Sequence, residues 1–463
     1  MRHEWALIAA ALVLIILEIG LSDGQKKMIN PIASGLMALV TLLGFTPADS
    51  GNLFGGMYLT DPLRILMKNI LNTGVLIIFL QSRVWLAKDD LQSRVTEFYL
   101  LLISSLIGVS YMISAGHFLM FYLGLELLTI PVAALAAYEQ YQSKSAEAGI
   151  KLILSSAFSS AILLFGLSVL YGATGNLYIG GFTLTHSAVA TLGFVFFFSG
   201  MAFKISIVPF HLWTADVYEG SPTNVTSYLS VISKGSAVFA LAILLFTFFR
   251  GMQVVWQDIL YATAVLTMTI GNLFAIRQQN LKRFLAFSSI AQAGFILLGL
   301  INGSTLGMAT VIYFVLVYVF SNLAAFGVVH TVEQATGKLT IDDYNGFYES
   351  NPRLGLTMML ALFSLAGIPP LAGFFGKFFL FTAVAEGGYY VLLLIAVLNT
   401  VISLYYYLLV VKAMFINKSE SPIPYLVSDE GMRMSLALCV LGIVTVGFYS
   451  PIFEYIKELC LVI

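Results

Sequence analysis

Glu126 in FYLGLELLTIP, Lys204 in GMAFKISIVPF, Lys234 in SVISKGSAVFA and Lys377 in PPLAGFFGKFFLF each stand inside a long apolar run. No charge precedes Lys204 from Ser187 to Phe203, and none precedes Lys377 from Leu354 to Gly376. A charge at the centre of a membrane-spanning helix costs roughly 2.5 to 3.5 kcal/mol on insertion scales, so such residues face a partner, a cavity or a pathway rather than lipid. Amines and carboxylates in that setting suit proton transfer. Desolvation disfavours an ammonium and a neighbouring carboxylate restores it, so a change in their spacing loads or releases a proton. Two further residues support this set. Lys151 follows Glu147 by one turn, a spacing that fits a snorkelled surface pair as well as a relay, and His211 lies close behind Lys204.

The elements that position these residues are helices, and prolines mark where they break. Pro131 follows Glu126 by five residues and Pro209 follows Lys204 by five. A helical proline frees the carbonyl four residues before it, here Leu127 and Ile205, each beside a charge. A third break, GIPPLAG from Gly367 to Gly373, precedes Lys377. Breaks at membrane depth line water or substrate rather than lipid. Serines, amides and other polar residues near these spans (Ser206, Ser233, Ser236, Asn272, Ser288, Ser289, Gln292) are expected to make interhelical hydrogen bonds.

Composition sets the class. Of 463 residues, 59% are hydrophobic and 10% charged, and mean hydropathy is +0.91; about 25% charge is usual for a soluble domain. A window of roughly 19 residues reads fourteen spans, starting near Trp5, Asn30, Lys68, Glu97, His117, Gly149, Ala188, Thr223, Trp256, Phe284, Leu306, Pro352, Tyr389 and Gly431. The expected fold is an all-α, polytopic transmembrane bundle in one membrane domain, 1–463. Two interrupted lysine-bearing helices five spans apart, the seventh and the twelfth, fit two inverted five-helix repeats. Their expected extents are about 97–250 and 256–415, flanked by helices in 1–90 and 431–463.

Arg2 before the apolar run Trp5–Gly20 superficially resembles a signal peptide, but Glu18 within the run and the lack of an A-x-A site fit an uncleaved first helix. Basic residues collect in the loops after odd-numbered spans, as with Lys26, Lys27, Arg83, Lys88, Arg277, Lys282, Arg283, Arg353 and Arg433. Arg2, Arg64, Lys68, Arg250 and Lys457 stand on the other side. That asymmetry places both termini on the non-cytoplasmic face. A net charge of -1 and the lack of a basic stripe argue against nucleic acid as a partner. Cys439 and Cys460 form no CxxC pair, so the residue types give no metal, haem or iron–sulfur ligand set.

Several stretches carry a resemblance: HFLMFYLGLELLTIP (117–131), SAEAGIKLILSSAFSSAILLFG (145–166), GMAFKISIVPFHLWTADVYEGSPT (200–223), LKRFLAFSSIAQAGF (281–295) and PPLAGFFGKFFLF (369–381). In order and from the fourth to the thirteenth span, they resemble the proton-pumping antiporter-like subunits of respiratory complex I. The resemblance implies roles. Glu126 on the fifth helix would pair with Lys204 on the broken seventh as the input side. Lys234 on the eighth would connect through water and His211 to Lys377 on the twelfth as the output, and Lys151 would modulate the Glu126–Lys204 pair. Many relatives carry histidine where this chain has Gln292, and glutamine orders water without titrating near neutrality.

It also implies that no cofactor is held in this chain, with NADH, FMN, iron–sulfur clusters and quinone bound by other subunits. The partners would be the other membrane subunits and the lipid of a bacterial inner membrane. Two transporters share these features, a subunit of an Mrp-type cation/proton antiporter and a related hydrogenase or formate-linked membrane subunit. A purely structural anchor, with lysines that only bridge helices, is the alternative of another class.

Overall fold

Lipid offers no water to peptide groups, so a spanning segment closes its own hydrogen bonds, and helices of about 20 residues do so. The computed structural model describes residues 1–47, 50–180 and 184–461. In chain order its main helices are α1 (Arg2–Gly20), α2 (Ile29–Gly44), α3 (Pro62–Leu86), α4 (Val95–Ile113), α5 (Phe118–Ala136), α6 (Ser143–Thr174), α7 (Ala188–Ile205) and α8 (Leu212–Gly220). They continue with α9 (Thr223–Phe246), α10 (Gln253–Ile276), α11 (Leu281–Ile301), α12 (Thr305–Thr336), α13 (Pro352–Ala366), α14 (Ala372–Glu386), α15 (Tyr390–Phe415), α16 (Glu430–Phe448) and α17 (Pro451–Cys460). One small departure from the all-helical expectation is an antiparallel hairpin, β1 (Gly51–Leu53) with β2 (Tyr58–Thr60).

Among the described residues, thirteen helices are long and apolar enough to cross a membrane. The expected fourteenth is present in two pieces, α13 and α14, each too short to count alone. Leucine, phenylalanine and valine cover the outside, as at Leu164, Phe165, Leu398 and Val401. The middle is formed by α9, α11 and α12, and the apolar stretch of α11 is buried throughout.

Three sequence expectations change. The third helix starts at Pro62, where the Asp61 side chain accepts from the Arg64 N–H as an N-cap, so Lys68 is an interior residue, 2% exposed, and not a loop residue. Lys282, expected in a loop, is buried in the first turn of α11. The fifth helix does not break at Pro131 and runs through it. It packs closely against α4, where Gly108 and Gly124 let the two backbones touch. A Cβ on Gly108 would lie 2.5 Å from the Leu128 nitrogen and 2.7 Å from the Gly124 oxygen.

Candidate proton-relay site

Both breaks expected in the lysine-bearing spans are present, and they end in the same way. α7 stops at Ile205 because Ser206 turns left-handed (φ 66°). Its N–H bonds the Phe203 carbonyl at 3.1 Å and the next N–H bonds the Ala202 carbonyl at 2.8 Å. α13 stops at Ala366 because Gly367 turns left-handed (φ 89°), with N–H bonds to Ser364 and, from Ile368, to Phe363, both at 3.0 Å. These are Schellman ends, in which the residue after the helix satisfies the last carbonyls. The first break therefore falls at Ser206, ahead of Pro209. A cis X-Pro bond follows in each, Val208–Pro209 and Pro369–Pro370.

Each break holds a lysine at the negative, C-terminal end of its first half, where a helix favours a cation. Lys204 occupies the last turn of α7, is 7% exposed, and donates to the Thr129 hydroxyl on α5. Lys377 lies beyond its break on α14 and reaches back to donate to the Ala366 carbonyl at 3.0 Å. Its ammonium stands 4.6 Å from the centre of the Phe295 ring, a cation–π contact.

Lys234 lies between them on α9, 2% exposed. The turn before it, Leu229–Ser233, is π-helical, a distortion that recurs at functional positions and that the sequence pattern did not reveal. Its ammonium donates to the Ser289 hydroxyl at 2.8 Å and the Ser289 carbonyl at 3.1 Å. The helix facing it, α11, links Lys234 to Lys377. Ser289, Gln292 and Phe295 occupy successive turns of one face. Gln292 donates to the Leu365 carbonyl (2.9 Å) and stands 3.1 Å from the Tyr407 hydroxyl, while its own carbonyl oxygen is buried with no protein partner. Ser288 and Tyr407 share a 2.5 Å hydrogen bond alongside.

Glu126 is one turn before Thr129 on α5. Among the described residues it forms no ion pair, with Lys204 or any other cation. Its carboxylate lies beside the Tyr122 hydroxyl, and Oε1 is buried without a protein partner. The Thr129 hydroxyl thus stands where a direct carboxylate contact was expected. His211 sits in the first break, 8% exposed, with Nδ1 buried and unpartnered. The other expected polar residues make interhelical or local bonds, such as Ser206 with Thr214 (2.8 Å), Asn272 with Asn399 (3.0 Å) and Ser236 with the Ser233 carbonyl (2.8 Å).

Lys151 is not gathered into this row. Its side chain is 42% exposed and pairs with Glu147 at 2.7 Å and Asp216 at 2.8 Å. Arg283 of α11 closes the network on Asp216 (2.7 Å) and Glu219 (3.1 Å), with Lys144 on Glu219 at 3.3 Å. These residues ring a cleft of about 120 Å³ and clamp α8 to α6 and α11. Asp216 and Glu219, spaced one turn apart in DVYEG, were the available signal, overlooked because they flank no apolar run. Sequence reasoning also overlooked the buried pair Glu4–Lys68 (2.6 Å) and the Lys282–Glu333 pair (3.3 Å). No group of three or more His, Cys, Asp or Glu among the described residues could hold a metal.

The family model described as NADH:quinone oxidoreductase/Mrp antiporter, TM, matches residues 115–403. The chain is 49% identical over 461 residues to NADH-quinone oxidoreductase subunit N of Phocaeicola vulgatus, covering 99% of this chain and 98% of that one. It is 50% identical to the subunit N of Azobacteroides pseudotrichonymphae, covering 99% and 97%. Among solved structures, a chain of respiratory complex I from Thermus thermophilus with bound aureothin superposes with a TM-score of 0.82 at 29% identity, covering 97% of each chain. A chain of the Mrp complex from Dietzia sp. DQ12-45-1b superposes with a TM-score of 0.85 at 18% identity, covering 99% and 96%, a likeness of fold alone.

Proposed function

The chain belongs to the NADH:quinone oxidoreductase/Mrp antiporter family of membrane subunits, and from that membership we propose that it translocates protons within an NADH:quinone oxidoreductase through the row Glu126, Lys204, Lys234 and Lys377. The observation that carries this reading is the face of α11. Ser289 holds Lys234, Phe295 faces Lys377, and Gln292 fills the turn between, so two buried amines share one polar seam. Lys204 and Glu126, with Thr129 between them, form the input. His211, in the first break, joins the input to Lys234 through water, and Lys377 is the output. Lys151, tied to Asp216, acts at a distance by holding α8 in place.

On this reading the subunit supplies no redox chemistry. NADH, FMN, iron–sulfur clusters and quinone are bound by its partners, and a shift in a neighbouring subunit changes the spacing of Glu126 from Lys204. When the carboxylate approaches, the ammonium is favoured; when it withdraws, the amine gives up its proton along the seam. Residues 97–250 and 256–415 form two inverted half-channels, each with one broken helix. The protein lies in the bacterial inner membrane with both termini on the non-cytoplasmic side.

Lys204→Ala in the assembled complex is the test. Loss of pumped protons per NADH with electron transfer retained is the expected result, and an unchanged proton stoichiometry overturns the relay. The Mrp complex's matching fold favours one second reading, a cation/proton antiporter subunit. Flavin and iron–sulfur subunits that co-purify in mild detergent exclude it.

A further inference from the structure

Outside the seam lies a second buried acid and amine. Glu4 of α1 is fully buried, and its Oε1 accepts from the Lys68 ammonium at 2.6 Å and from the Tyr58 hydroxyl at 2.9 Å. The Lys68 ammonium also donates to the Tyr58 oxygen at 3.0 Å. Tyr58 belongs to the β1–β2 hairpin, which lies across this end of the helices and is pinned to the α4–α5 corner by the Leu59 N–H on the Ser114 carbonyl and the Gly116 N–H on the Met57 carbonyl, both at 2.8 Å. A buried ion pair contributes little to stability by itself, because desolvating both charges offsets their attraction. An ionisable pair inside a membrane bundle is by default a hypothesis of function.

Among the described residues, polar atoms around the pair lack protein partners. Glu4 Oε2 is buried and unpartnered. So are both side-chain polar atoms of Asn72, one turn beyond Lys68 on α3, and the Ser110 and Ser114 hydroxyls on the adjoining end of α4, with Ser114 beside Tyr58. Each such group left dry would cost about 1 to 3 kcal/mol, so a wet polar path fits them better than a packed core. The other groups facing the pair are the Met1 amino group, His3, whose ring nitrogen contacts the Asn69 oxygen at 2.9 Å, the Arg64–Asp61 pair one turn back on α3, and Tyr111. Beyond Asn72, α3 abuts the π-turn before Lys234. A Cβ on Gly74 would lie 2.7 Å from Ile232, and one on Gly235 would lie 3.1 Å from Leu71.

We propose that Glu4 and Lys68 form an additional proton-exchange site, capped by Tyr58, between the surface at the N-terminal end of α1 and the Lys234 turn. A proton arriving from that surface neutralises the Glu4 carboxylate at Oε2. Lys68, without its counter-charge, releases one proton into the path past Asn72 and becomes a neutral amine. Transfer of the proton from Glu4 to that amine restores the charged pair, so one proton enters and one leaves. The reverse direction uses the same steps. This rests on the proton-translocation reading above.

The experiment compares complexes carrying Glu4→Gln, Lys68→Met, the double variant and the exchanged pair Glu4→Lys/Lys68→Glu, with Lys204→Ala as reference, for protons pumped per NADH in vesicles. The single and double variants are expected to lower the stoichiometry while NADH oxidation and subunit content stay normal. The exchanged pair, which keeps both titratable groups, is expected to regain part of it. If the double variant, which leaves no lone buried charge, pumps as the unmodified complex does, the pair is structural and the proposal is overturned. Loss in Lys204→Ala with no loss in the double variant overturns this site alone. No loss in Lys204→Ala overturns the relay beneath it.

Discussion

The two broken helices solve one problem by opposite routes. In the first, the lysine precedes the break, sits in the last turn of its own helix and has a hydroxyl, Thr129, with an acid one turn away. In the second, the lysine follows the break and reaches back to a carbonyl and an aromatic face, with no carboxylate in contact among the described residues. Both lysines are held near the C-terminal end of an interrupted helix, Lys204 by its place in the last turn of α7 and Lys377 by its bond to the Ala366 carbonyl. The difference concerns control. A carboxylate can move or be neutralised, so Glu126, one turn from the Thr129 that holds Lys204, is a neighbour of variable charge, whereas fixed dipoles give Lys377 a constant field. On the proposed relay, the first break would receive the signal and the second would hold and release the proton.

The largest expected effect tests whether both lysines are needed. Lys204→Ala and Lys377→Ala each abolish pumping, measured as protons per NADH in vesicles, and survival of pumping in either one shows that the halves are not in series. Next is Thr129→Val, which takes away the hydroxyl that Lys204 uses. A hydrogen bond to a charged group is worth about 1.5 to 3 kcal/mol, so turnover coupled to pumping drops about tenfold or more. Truncating Phe295 to Leu removes the cation–π contact with Lys377, about 1 to 2 kcal/mol, along with a ring contact to Phe381, and produces a smaller drop in the same assay. If the two effects are equal, the asymmetry between the breaks carries no functional weight.

The backbone turns give smaller effects. Gly367→Ala places a Cβ 3.0 Å from Lys377 Cδ at a positive φ, at a cost of about 1 to 2 kcal/mol, read as a lower melting temperature of the assembled complex. Ser206→Gly relieves a similar strain at the first break but loses the Thr214 hydrogen bond. The two terms are each about 1 kcal/mol and opposite in sign, so its melting temperature barely moves.

Chain chemistry alone determined a good deal of this protein. Apolar runs marked fourteen spans, thirteen of them single helices long enough to cross and one divided into two short pieces, and the cost of charge within those runs singled out Glu126, Lys204, Lys234 and Lys377. GIPPLAG announced the break before Lys377. Proline spacing was a poorer guide elsewhere, since α5 passes through Pro131 and α7 stops at the left-handed Ser206, three residues ahead of Pro209. Hydropathy could not pair residues distant in the chain. Glu4 meets Lys68, Lys151 meets Asp216, and Ser289 meets Lys234 only because helices far apart in sequence pack side by side. Which helices contain charge is a one-dimensional property, set by transfer free energy residue by residue. Which charges meet depends on crossing angles and close glycine contacts, and only the packed bundle decides it.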